Sequence, residues 1–162
     1  MTDKVWRWNC KLSWELFSSA VYDYRNVSSE KKVHRKHAMC KNGLFSSVTA
    51  VEAYLNEALS QEEKWSQNKL KKSFNDKLLF FDLDIPKYEA KTIRNNFLVH
   101  HKRIDQRYSI KINSSILLDS IETAQEIIAR ICFKRGVIFP YWITCVNFVN
   151  PSHDLDISLS NE

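Results

Sequence analysis

A chain of 162 residues with only 2 glycines and 3 prolines has very few places to turn. Glycine supplies the left-handed backbone that tight turns need, and proline ends or redirects regular elements. Without them an all-β fold lacks its corners, and the glycine-rich loops that cradle nucleotide phosphates are excluded. Long helices joined by short polar links remain.

The spacing of apolar residues agrees. Residues 6–25 place Leu12, Leu16, Phe17, Val21 and Tyr24 on one helical face. The basic segment NVSSEKKVHRKH reads as a connection or as the first turn of the next helix. Leu44, Val48, Val51, Leu55 and Leu59 then define a second helix from Leu44 to Leu59, in which Ser46, Ser47, Ala50 and Ala53 permit a close neighbour. A third helix is expected from Gln61 to Phe81, with Trp65, Leu70, Phe74, Leu78 and Phe81 inward. Asp84 caps the following helix ahead of Pro86, and Tyr88, Ile93, Phe97 and Ile104 give that helix its packing face. RYSIKINSS is a loop or a brief strand. Asn113 or Ser114 caps an apolar helix through Ile116, Leu117, Ile121, Ala124, Ile127, Ile128 and Ile131, which Gly136 stops. The run VIFPYWITCVNFV has no clear period and is either core or an oligomer contact. The expected fold is an all-α antiparallel helical bundle of four to five helices. One domain spans 1–150, and 151–162 forms a flexible acidic tail.

Charge and cysteines bound the partners. The formal charge is +5, and the tail holds Asp154, Asp156 and Glu162 without a base, so the excess on the body is larger still. That imbalance suits a phosphate-rich partner. Cys10, Cys40, Cys132 and Cys145 form no paired motif. Lys4, Arg7 and Lys11 interrupt the start of the chain, and no window approaches the roughly 18 apolar residues of a membrane span. A cytoplasmic setting with free thiols and no membrane contact is expected. His34, His37 and Cys40 supply only three local ligands among lysines, so no metal is expected there.

The chemistry concentrates in TIRNNFLVHHKRID. Arg94 offers a permanently charged fork suited to a phosphate, and Asn95 can orient a ligand. His100 and His101 can exchange protons near neutral pH. On a continuous helix, Arg94 and His101 lie about 20° apart while His100 lies about 120° round. A helix that bends before Val99 favours His100 instead.

The string R-N-N-F-L-V-H resembles the signature of HEPN domains, in which Arg is followed by four to six residues and then His, usually with Asn directly after the Arg. Arg94, Asn95 and His100 match with five intervening residues, and Arg94 and His101 match with six. SSVTAVEAYLNEAL is similar to the HEPN helix that carries a Glu and, one turn later, an Asn; here these are Glu52 and Asn56. The resemblance covers Leu44 to Ile131. It implies a homodimer whose two motifs face one cleft, and a metal-independent endoribonuclease of toxin–antitoxin or antiphage defence systems that needs no cofactor. RNA would be the substrate, and an antitoxin or regulatory protein a possible partner. Arg94 would stabilise phosphoryl charge, one histidine would move the proton, Asn95 would position them, and Glu52 with Asn56 would support the motif from the neighbouring helix. Lys102 and Arg103 would guide RNA. A subgroup of the family carries a modified tyrosine two residues after the histidine. Lys102 or Arg103 stands there, so that regulation is not implied. Some family members are inactive binding or dimerisation modules, which is the alternative reading.

Overall fold

The computed structural model describes residues 11–61, 64–83, 91–92, 112–140 and 142–143. Among them there are five helices and no strand: α1 (Leu12–Val27), α2 (Val33–Gln61), α3 (Gln67–Leu70), α4 (Phe74–Phe80) and α5 (Ser114–Arg135). The chain is an all-α helical bundle.

α2 is its axis. Leu44, Val48, Val51, Leu55 and Leu59 are all fully buried, as their spacing requires. The helix starts earlier than Leu44: KKVHRKHAMCK is rich in good helix formers, and Cys40 within it is buried. Glu30 accepts the Lys32 N–H at 2.9 Å just ahead of it.

α1 folds back antiparallel, so that its start lies beside the end of α2. Lys11 stands at the N-cap of α1 with no side-chain cap. The carboxylate of Glu57 supplies one from α2: Oε1 accepts the Ser13 N–H at 3.0 Å and Oε2 accepts the Ser13 hydroxyl at 2.6 Å. A negative charge at a helix N-terminus also meets the positive end of its dipole. Ser13, not Leu12, therefore faces α2, and Leu12 is 55% exposed although the spacing placed it inward.

α5 runs the other way relative to α1. The Cβ that Gly43 lacks would meet Leu117 Cδ1 at 2.8 Å. Ser47 Oγ lies 2.5 Å from Ser120 Oγ, and Tyr54 OH lies 2.9 Å from Cys132 Sγ. Residue numbers rise together along both helices, so α2 and α5 are parallel, whereas α1 and α2 are antiparallel. The long segment between α2 and α5 returns the chain to the starting end. Asn113 caps α5 by accepting the Ile116 N–H at 3.0 Å, and Gly136 ends it at φ 66°. Trp142 closes the core, its ring 5.3 Å from that of Phe17.

The single helix expected from Gln61 to Phe81 is instead interrupted. Lys64 adopts φ 50°, and extended residues Ser66 and Ser73 restart the helix twice. Ser73 accepts the Asp76 N–H, offering the backbone a competing partner where the apolar spacing alone shows no break. Leu78 and Phe81 are buried as expected, while Trp65, Leu70 and Phe74 pack only partly against the core. The expected cap at Asp84, the helix through Ile93 and Ile104, most of the segment after Phe139 and the tail 151–162 lie outside the described residues. Two of the four cysteines, Cys40 and Cys132, lie among the described residues; both are buried and neither forms a disulfide.

Two substitutions test this packing. Gly43→Val thrusts branched methyls between α1 and α5 and is expected to destabilise by about 2 kcal/mol in chemical denaturation. Glu57→Ala removes the borrowed cap and should cost roughly 1–2 kcal/mol. A wild-type denaturation midpoint for either variant contradicts the corresponding contact.

Candidate active site

Glu52 and Asn56 lie one turn apart on α2, both half-buried. The residue that meets them comes from α4. Lys77 is buried to 8% exposure, and its Nζ donates to Asn56 Oδ1 at 2.7 Å. Burial pushes the Lys77 ammonium below its ordinary pKa, and the nearby Glu52 carboxylate partly opposes that shift. A carboxylate, a carboxamide and a buried cation thus form one polar cluster between two helices.

α4 owes its position to local chemistry. Ser73 caps it, and the Ser73 hydroxyl also donates to Asp76 Oδ2 at 2.6 Å, which holds the Asp76 carboxyl below its usual pKa. Leu78 faces the core, which carries the adjacent Lys77 inward as well. The first turn of α4 holds a second cation. Lys91 Nζ sits 4.2 Å from the Phe74 ring centroid and donates to Asn75 Oδ1 at 3.1 Å. Lys91 and Thr92 are helical and lie just ahead of Arg94 in the chain. One short helix therefore grips both the α2 pair and the residues leading into the motif.

Beside this cluster an open groove is lined by Asn56, Glu57, Ser60, Gln67, Leu70 and Lys71. Asn56 joins groove and cluster, so its carboxamide is the point at which a ligand in the groove would sense Lys77. Arg94, Asn95, His100, His101, Lys102 and Arg103 lie outside the described residues. Of the residues read as a site, Glu52 and Asn56 are brought together, on the face that Lys77 covers.

Sequence reasoning missed Lys77. It stands in FNDKLLF between residues read as inward, and a lysine there reads as surface by default. It also missed the cluster at the end of α5, where Arg135 Nη1 donates to Tyr54 OH at 3.2 Å and Tyr54 meets Cys132.

Comparison with models of known families, with curated proteins and with solved structures finds no match to this chain.

The buried lysine has a measurable signature. Folded Lys77 releases its proton more readily than the unfolded chain does. Its burial therefore opposes folding while it is charged, and that opposition is relieved as pH rises through the lowered pKa. Lys77→Met should match or exceed wild-type stability at neutral pH. It should also flatten the alkaline rise in melting temperature; an equally steep rise in the variant would contradict the assignment.

Proposed function

We propose that the chain is a HEPN-like, metal-independent endoribonuclease. The observation that supports the reading best is the reach of α4: Lys77 binds Asn56 beside Glu52, and Phe74 and Asn75 hold Lys91, which leads into the Arg94 motif. One helix thereby touches both Asn56 of the α2 pair and Lys91, three residues ahead of Arg94.

In this reading the ribose 2′-hydroxyl attacks the adjacent phosphorus. The O2′–P bond forms and the P–O5′ bond breaks, leaving a 2′,3′-cyclic phosphate and a 5′-hydroxyl. His100 or His101 accepts the 2′-hydroxyl proton or delivers one to the departing O5′. Arg94 neutralises the charge that grows on the phosphoryl oxygens, and Asn95 positions the reacting groups. Glu52 and Asn56 hold the motif from α2, with Lys77 keeping that pair in place. Lys102 and Arg103 draw in RNA.

The expected assembly is a homodimer that unites two motifs, acting in a toxin–antitoxin or antiphage setting with an antitoxin or regulatory partner. Exposed Phe133, Ile138 and Phe139 at the end of α5 offer an apolar face for self-association. The Glu126–Arg130 and Asp82–Lys134 pairs lie beside it.

A catalytically inactive helical module that binds RNA or protein is the second reading. In it the bond from Lys77 to Asn56 serves only to fix α4 on α2.

Cleavage of mixed tRNA and rRNA in excess EDTA separates the two. The wild type is expected to cut, and Arg94→Ala to lose about 10²-fold or more of the rate. His100→Ala and His101→Ala identify the proton-transfer residue by which of them is equally impaired. Folded wild type that leaves every RNA intact favours the binding module.

A further inference from the structure

At the opposite end of α2 from Asn56, the helix joins α1 and the start of α5 around a half-enclosed pocket of about 540 Å³. Lys36 and Asn56 are twenty residues apart, roughly 30 Å along the helix. This is a separate location from the α2–α4 cluster.

Three basic side chains from two helices line the pocket: Arg25 near the end of α1, and Lys36 and His37 in the first turns of α2. None of the described residues lining it is acidic. Asn113 and Ser114 at the start of α5 complete the wall, where the positive end of a 22-residue helix adds to the same potential. Apart from Ser28, the remaining lining is apolar, aromatic or the Cys40 thiol, and includes Tyr24 and Val33. Two carboxylates stand near without lining it. Asp23 acts on the buried Cys40 thiol at the pocket's back, and Glu30 pairs with Arg35 at 3.9 Å. Neither is among the residues that face the space.

A cavity of this size holds a small organic ligand, and its walls select that ligand's chemistry. Basic side chains lining one space match a dianionic phosphate. Tyr24 and Val33 offer apolar surface beside that charge, which inorganic phosphate leaves unused but a nucleoside covers. We propose that the Arg25–Lys36–His37 pocket binds the terminal phosphate monoester of a nucleotide, either free or at the 5′ end of a nucleic acid. The site is independent of the ribonuclease reading, because it shares no residue with the Arg94 motif.

Calorimetric titration of the full chain tests it with four probes: AMP, adenosine, and one DNA oligonucleotide with and without a 5′-phosphate. DNA lacks the 2′-hydroxyl, so probe cleavage by the proposed mechanism does not intrude. AMP is expected to bind more tightly than adenosine by about tenfold or more, the contribution of one charge-assisted contact. Lys36→Glu should abolish that difference. Lys41→Glu, which makes the same charge change on an exposed residue of α2 outside the pocket, should leave it intact.

AMP binding without oligonucleotide binding identifies a free nucleotide as the ligand. Binding of the oligonucleotide only when it is 5′-phosphorylated identifies a nucleic-acid end. Equal affinity for AMP and adenosine, no binding of either phosphorylated probe, or equal losses in Lys36→Glu and Lys41→Glu would each overturn the proposal. Unchanged helical circular dichroism confirms that each variant folds. RNA cleavage in EDTA, measured separately, is expected to survive Lys36→Glu, so the two ideas fail independently.

Discussion

The approach of α1 and α5 to α2 at Gly43 is the constraint on which the bundle depends. A side chain there would meet Leu117 from one helix and Asp23 Cβ, at 3.2 Å, from the other. The narrow point continues through Ser47, Ala50 and Ala53, all buried. Small residues on one helix let two neighbours approach it, and each approach seats the larger side chains beside it. Phe17, Leu44, Leu117 and Ile121 are completely buried as a result. The polar member of the seam is satisfied locally: Ser47 donates to the Leu44 carbonyl at 3.0 Å and meets Ser120 across the interface. That arrangement leaves its hydroxyl without the penalty of an unmade bond.

Polar groups at the edges of this core do different work. Glu57 substitutes for a missing cap on α1, and Lys77 ties α4 to α2 through Asn56. Both contacts join elements far apart in the chain, and both are made by groups with alternatives in water. A buried ammonium contributes little net stability, but it penalises every arrangement in which it lacks Asn56 and Glu52. The result is a defined position for α4, a helix of only seven residues of which Leu78 is the buried apolar one.

What could be read from the chain followed from periodicity and caps. The α2 stripe, the Ile-rich face of α5, the Asn113 cap and the Gly136 stop each depend on residues close in sequence, where helical geometry dictates the outcome. The break between Gln61 and Phe81 was hidden because Trp65, Leu70, Phe74 and Leu78 keep a helical rhythm across it, and only the serines signal a restart. Parallel packing of α5 on α2 was hidden too, since a local pattern carries no information about which way a distant helix points. Within the candidate site, Glu52 and Asn56 were legible as neighbours on one face. Their partner Lys77 was not, because its burial is set by the tertiary position of α4.

The parallel pairing of α2 and α5 also has a consequence in time. α1 and α2 are adjacent in the chain and can pair as soon as both have been synthesised. The groups that seal the other side of α2, Ser120 and Cys132, lie 73 and 78 residues from their partners. At ordinary elongation rates of about 5–20 residues per second, α5 begins to emerge on the order of 3–10 s after α2 ends. For that interval Leu44, Val48 and Val51 belong to a hairpin with one face uncovered. The nascent chain therefore passes through a stage in which its central helix is a binding surface for whatever apolar partner is nearest, until α5 arrives.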